Sequence, residues 1–159
     1  MIETKTKDGT LMKGYIKIEL FDKDGNVKQI VEKENTFMAV GDAHVADQLA
    51  ATPAEAAMGW MAVGSGDTPF TTSSTTLTDE IDRNALSGGY PEQQSGGDDN
   101  DVVYKATWAA GDATGALTEA GIFNSSVAGT MLAASTFSVI NKGASDTLTI
   151  TWTVTVGAS

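Results

Sequence analysis

The chain has 159 residues, of which 41% are apolar and none is cysteine, and it carries a net charge of −11. That length suits a single domain able to bury a sizeable core, and the apolar content excludes global disorder. Lack of cysteine excludes disulfides, thiolate metal sites and cysteine nucleophiles, while an acidic body disfavours nucleic acid and anionic membrane as partners.

Residues 1–13 show no periodic pattern and are expected to form an extended N-terminal arm, with one β-rich domain over 14–159. The first ten residues, MIETKTKDGT, have neither the charged nor the apolar region of a signal peptide. No apolar run reaches the length of a membrane span. The expected site of assembly is a cytoplasm. Seven of the ten basic residues fall within residues 1–34, where seven acids balance them. Only Arg83, Lys105 and Lys142 offset the fourteen acids that follow. The neutral first hairpin is therefore the part suited to an acidic partner, although a solvated hairpin accounts for the same charges.

Gly14 to Phe21 alternates, with Ile16, Ile18 and Leu20 on one face and Tyr15, Lys17 and Glu19 on the other. Asp24-Gly25 is a hairpin signal, and VKQIVEKEN reads as the return strand. From Thr36 the spacing of Phe37, Val40, His44, Val45 and Leu49 predicts a helix to about Ala50, with Gly41 weakening its middle. Thr52-Pro53-Ala54-Glu55 predicts the start of a short second helix, with Thr as cap and Pro at the first helical position. One or two short helices are thus expected over about residues 36–58.

Trp60 to Val63 is a short apolar strand, and Gly64 to Thr78 a Gly-, Ser- and Thr-rich loop. Residues 79–87 suit an irregular strand, and 87–101 have the least pattern. Strands follow at 102–109, 117–124 and 130–137. The last element is the plainest. In Thr147 to Val156, Leu148, Ile150, Trp152, Val154 and Val156 share one face and five threonines the other, which demands a covering layer on the apolar side. Short strands at this spacing predict a mainly β fold, an antiparallel sandwich or barrel-like domain.

Chemistry-bearing residues are few. His44 is the one histidine and has no Ser, Asp or second His at a diagnostic spacing, so a satisfied helix histidine is the preferred reading. Asp22, Asp24 and Asn26 begin like a calcium loop, but Gly25 is one position early and Lys33 stands where a bidentate Glu is needed. Asp98, Asp99 and Asp101 are the remaining metal candidates, in a loop whose flexibility calcium tolerates; an exposed acidic loop explains them better. Gly64-Ser65-Gly66 follows a strand but lacks the rest of a phosphate-binding motif. Trp60, Trp108, Trp152, Tyr15, Tyr90 and Tyr104 suggest a sugar-stacking platform, yet core parity claims most of them and leaves Tyr90 as the free aromatic. No catalytic residues, no cofactor and no enzymatic activity are expected.

Three blocks taken together resemble a family. They are AVGSGDTPFTTSSTTLTDEIDR (62–83), ATWAAGDATGALTEAGIFN (106–124) and TMLAASTFSVINKGASDTLTITWTVTV (130–156). Their order is similar to that in small structural proteins of tailed bacteriophages, both the head decoration (cement) proteins and the tail or tail-fibre proteins, over about residues 14–156. The resemblance implies a non-enzymatic virion component in a homo-oligomer or symmetric array, with the major capsid protein or another virion protein as partner. Likeness of 62–83 and 117–124 to tail-collar fibre domains points to the tail, baseplate or a fibre attachment. A chain ending three residues after its last strand points instead to a compact unit on the capsid, which is the favoured expectation. A carbohydrate-binding module using Tyr90 and the 87–101 loop, with calcium, is the second alternative.

Overall fold

The computed structural model describes residues 12–157. Residues 1–11 of the expected arm lie outside this range, and Met12 and Lys13 belong to the first strand. In chain order the elements are β1 (Met12–Phe21), β2 (Val27–Glu34), β3 (Thr36–Phe37), α1 (Ala39–Gln48), β4 (Trp60–Gly64) and β5 (Glu80–Ala85). They continue with β6 (Glu92–Gln93), β7 (Asp101–Trp108), β8 (Gly115–Phe123), β9 (Met131–Lys142) and β10 (Thr147–Val156). The strands form two five-stranded antiparallel sheets in the orders β2-β1-β10-β7-β6 and β3-β9-β8-β4-β5. This is the mainly β, sandwich-like fold that the strand spacing predicts.

β10 lies at the centre of the first sheet, between β1 and β7. Its Leu148, Ile150, Trp152 and Val154 are buried against the second sheet together with Ile16, Ile18, Leu20, Ala106 and Trp108. Val156 departs from the expected pattern and is 43% exposed, because it lies at the strand end, where only Met12 and Asn100 pair with it. The five threonines are half-buried. On β1, Lys13, Tyr15, Lys17, Glu19 and Phe21 stand opposite them in register, and on β7 Lys105 and Thr107 face Thr151 and Thr149. Long neighbours on the same face therefore shade the threonine row.

The second sheet is covered on both faces. Leu117, Ala120, Ile122, Ala133 and Ile140 join the core between the sheets. A smaller cluster of Met38, Ala62, Leu77, Phe123, Met131 and Ala134 lies apart from it, with Trp60 and Phe70 packed against it. The Thr-rich segment after β4 is consequently a cover, tied down by the N–H of Ala39 donating to the Thr72 carbonyl at 2.8 Å. Cover on both faces explains the unbroken burial of Glu119–Phe123 and Met131–Ser135, where a one-sided strand would alternate.

Side chains lace the two flanks. From β2, Gln29 Nε2 donates to the Val139 carbonyl at 3.2 Å and Lys33 Nζ to the Thr136 carbonyl. On the opposite flank the N–H of Ser87 donates to the Lys105 carbonyl at 2.8 Å and Asn84 Nδ2 to the Thr107 carbonyl at 2.9 Å.

The helical region differs from expectation in three respects. Thr36 and Phe37 pair with β9 as β3, so α1 starts only at Ala39. Of the residues expected to form its apolar face, Val40 and Leu49 are exposed. The second helix does not form. Asp47 of α1 takes the N–H groups of Ala54 and Glu55 at 2.9 and 3.0 Å, the same orphan donors a capping Thr52 needs in order to start a helix.

Candidate functional site

Glu119 on β8 is fully buried. Its carboxylate accepts the N–H of Asp79 at 2.7 Å and that of Thr78 at 3.0 Å. The side chain folds across Gly64, its register partner on β4, and across Gly66. A Cβ at either glycine would lie 2.4 and 2.7 Å from the carboxylate oxygens. The Gly-Ser-Gly turn is thus a seat for the chain's own carboxylate. Thr118 Oγ1 adds a bond to the Gly66 carbonyl at 2.8 Å.

Arg83 on β5 holds a second loop. Its Nε and Nη2 meet both oxygens of Glu80 at 2.9 and 2.7 Å, and its Nη1 donates to the carbonyls of Ser125 and Ala128 at 2.8 Å each. The guanidinium lies 3.7 Å from the centroid of the Phe123 ring, a cation–π geometry. Lys142, at the end of β9, is buried and donates to the carbonyls of Ala109 and Asp146 at 2.9 and 2.7 Å. Burial pushes its ammonium below the usual lysine value, and the nearby Asp112 and Asp146 charges oppose that shift. Asp146 is held below the carboxylate range by Lys28, 2.7 Å away, and by the Gly143 N–H.

The metal candidates do not come together. Asp22 Oδ1 accepts the N–H groups of Asp24 and Asn26 at 2.9 Å each, which makes it the organiser of the β1–β2 turn. The Asn26 backbone bond is the main reason its pKa falls. Asp101 Oδ1 accepts Thr155 Oγ1 at 2.5 Å, whereas Asp98 and Asp99 are exposed and contribute main-chain carbonyls to Asp101 and Gln93. Among the described residues, no group of three or more His, Asp or Glu side chains is placed to hold a metal ion. Nor does the aromatic platform assemble. Trp108 and Trp152 are fully buried, and Tyr90 is half-buried with Lys105 Nζ 5.9 Å from its ring centroid.

His44 does have a partner, eleven positions on. Its Nδ1 lies 2.6 Å from Glu55 Oε2, and Glu55 Oε1 accepts Thr130 Oγ1 at 3.3 Å. Gln48 Nε2 donates to the Glu55 carbonyl at 2.9 Å. Local spacing gave no sign of this pair, because Glu55 sits in an irregular segment that Asp47 positions. His44, without Glu55, lines an apolar cleft of about 260 Å³ at the end of the sandwich, together with Val45, Met58, Val102, Tyr104 and Val154. Burial raises the Tyr104 phenol above its ordinary pKa. No helix among the described residues is long and apolar enough to cross a membrane.

Comparison with protein-family profiles, with curated proteins and with solved structures returned no match. The reading of this molecule therefore rests on its own residues. Its buried charged groups are bonded largely to main-chain atoms of neighbouring loops, and the cleft beside α1 presents mostly carbon.

Proposed function

We propose that the chain is a non-enzymatic structural subunit of a tailed-bacteriophage particle, a decoration protein that sits on the capsid surface and binds the major capsid protein in a symmetric array. The observation that carries this reading is the Glu119 clamp. It ties residues 117–124 to residues 62–83, so two of the segments in which the expected resemblance to phage structural proteins lies form one interlocked unit, and the stiff acidic body, not this clamp, favours the capsid over the tail. The use of buried charge supports the same reading. Glu119 receives main-chain N–H groups, while Arg83 and Lys142 donate to main-chain carbonyls. Such bonds stiffen a body and leave those side chains unavailable to a substrate. A stiff acidic body suits many individually weak contacts on a lattice, where copy number supplies the avidity. In this reading the particle is assembled in the host cytoplasm and the protein resides in the virion.

Quantitative mass spectrometry of separated heads and tails, from particles of the phage that encodes the chain, tests the proposal. Copies on the order of hundreds per particle in the head fraction are the expected result for a shell lattice. A dozen or fewer copies in the tail fraction would move the assignment to a tail, baseplate or fibre-attachment role. Absence from both fractions would remove the virion reading.

A further inference from the structure

We propose that the cleft beside α1 is a self-association surface, where two copies of the chain meet about a two-fold axis and each inserts Leu49 into the cleft of the other. Leu49 is 83% exposed, the most exposed of the large apolar side chains among the described residues. It stands on the rim of the cleft, just past the end of α1. The cleft measures about 260 Å³. An apolar cavity of about 150 Å³ takes a benzene molecule, so this one has room for a leucine side chain. Knob and hole lie side by side on one surface. That is the condition for isologous pairing, in which each copy offers the same patch and residue i meets j as j meets i.

Charge selects the same surface. Two copies at −11 each repel one another over most approaches. None of the thirteen residues lining the cleft is Asp, Glu, Lys or Arg, and the neighbouring Glu55 carboxylate is bonded to His44 of its own copy, so apolar desolvation is favourable there. Of the polar residues on its wall, His44 is bonded to the Glu55 carboxylate and Gln48 to the Glu55 carbonyl within their own copy. This inference goes beyond the virion reading and stands without it, because self-association is measured on the isolated protein.

Sedimentation equilibrium of the full chain, from about 10 μM to about 0.5 mM, is the test. The expected result is a monomer–dimer equilibrium that strengthens as sodium chloride screens the net charge. Leu49→Lys should weaken it about thirty-fold or more, the loss expected of a central anchor. A lysine is favourable at a helix C-terminus, so the fold is retained, and the added positive charge lowers the repulsion between copies. Loss of the dimer in spite of that points to the knob itself. Ala57→Trp, at an exposed position on the cleft wall, should have the same effect by filling the hole. A chain that stays monomeric over the whole range overturns the proposal, as does a dimer that either variant leaves intact.

Discussion

The Glu119 carboxylate lies 2.7 Å from the backbone N–H of Asp79, forty residues away in the chain. It receives the Thr78 N–H with its other oxygen and has no exposed surface. A buried carboxylate in this position works as a pin, since both of its oxygens hold the loop that covers the second sheet.

Removing that pin should be costly. Glu119→Ala leaves two N–H groups unpaired beneath the loop, and bonds to a charged acceptor contribute about 1.5–3 kcal/mol each. A loss of about 3 kcal/mol in urea unfolding is expected. Glu119→Gln keeps one acceptor and should lose less. Equal stability of the wild type and the alanine variant would show that the loop is held without the carboxylate, by Leu77, Phe70 and its other hydrogen bonds, among them those of Ala39 and Thr118.

Arg83→Lys should also destabilise, by about 1–2 kcal/mol, because an ammonium cannot reproduce the two-point contact with Glu80 while reaching two carbonyls. The effect should be local. Amide hydrogen exchange in residues 124–130 is expected to accelerate more than exchange in β10, and a uniform change across the chain would contradict the loop-clamp role.

Asn35→Ala removes the acceptor that Trp152 Nε1 reaches at 2.8 Å. Trp152 is fully buried, so its indole N–H would then be unpaired in the core at a cost of about 1–3 kcal/mol. Denaturant titration followed by tryptophan fluorescence measures this. The expected signs are a lower midpoint and altered native emission.

Acid should unfold the protein partly through three aspartates. Asp146 is held below the carboxylate range by Lys28 and the Gly143 N–H, Asp47 by the N–H groups of Ala54 and Glu55, and Asp22 by the Asn26 and Asp24 backbone. A folded pKa below the unfolded value favours the ionised form in the native state. The resulting stability is complete above about pH 4 and is lost as pH falls through the folded values. Urea midpoints between about pH 6 and pH 2 should therefore fall less steeply in Asp146→Asn than in the wild type. Parallel curves would remove Asp146 from this account.

Because Asp98, Asp99 and Asp101 do not converge, millimolar calcium and EDTA should leave the melting temperature unchanged within error. A calcium-dependent rise that Asp99→Asn abolishes would reinstate the loop as a metal site.

The chain's β character was legible wherever one face alone decides the pattern. β10 falls on Thr147–Val156 as its alternation requires, since nothing competes with a period of two over ten residues. Legibility failed where a distant side chain supplies what local residues were expected to supply. Thr52-Pro53-Ala54-Glu55 has the residues of a helix start, but Asp47 reaches its donors first. Glu119 reads in sequence as a polar interruption within β8, and only the opposing Gly64 and Gly66 reveal a seat for it. Arg83 and Glu80 both lie within the 62–83 block, where nothing local gives them a role. Their role lies in carbonyls of the 124–130 loop, which no spacing rule connects to them. His44 and Glu55 failed to register for the same reason.

Gly41 lies in the middle of α1, and a Cβ there would come within 2.4 Å of the Leu132 carbonyl oxygen. The residue that weakens the helix in isolation is the one that lets it lie flush against β9. One absent methyl group sets the distance between the helix and the sheet. Because His44, Val45 and Gln48 ride on that helix, it also fixes how wide the cleft stands open. The aperture of the molecule's apolar mouth is thus set from beneath, by a residue that never touches what enters it.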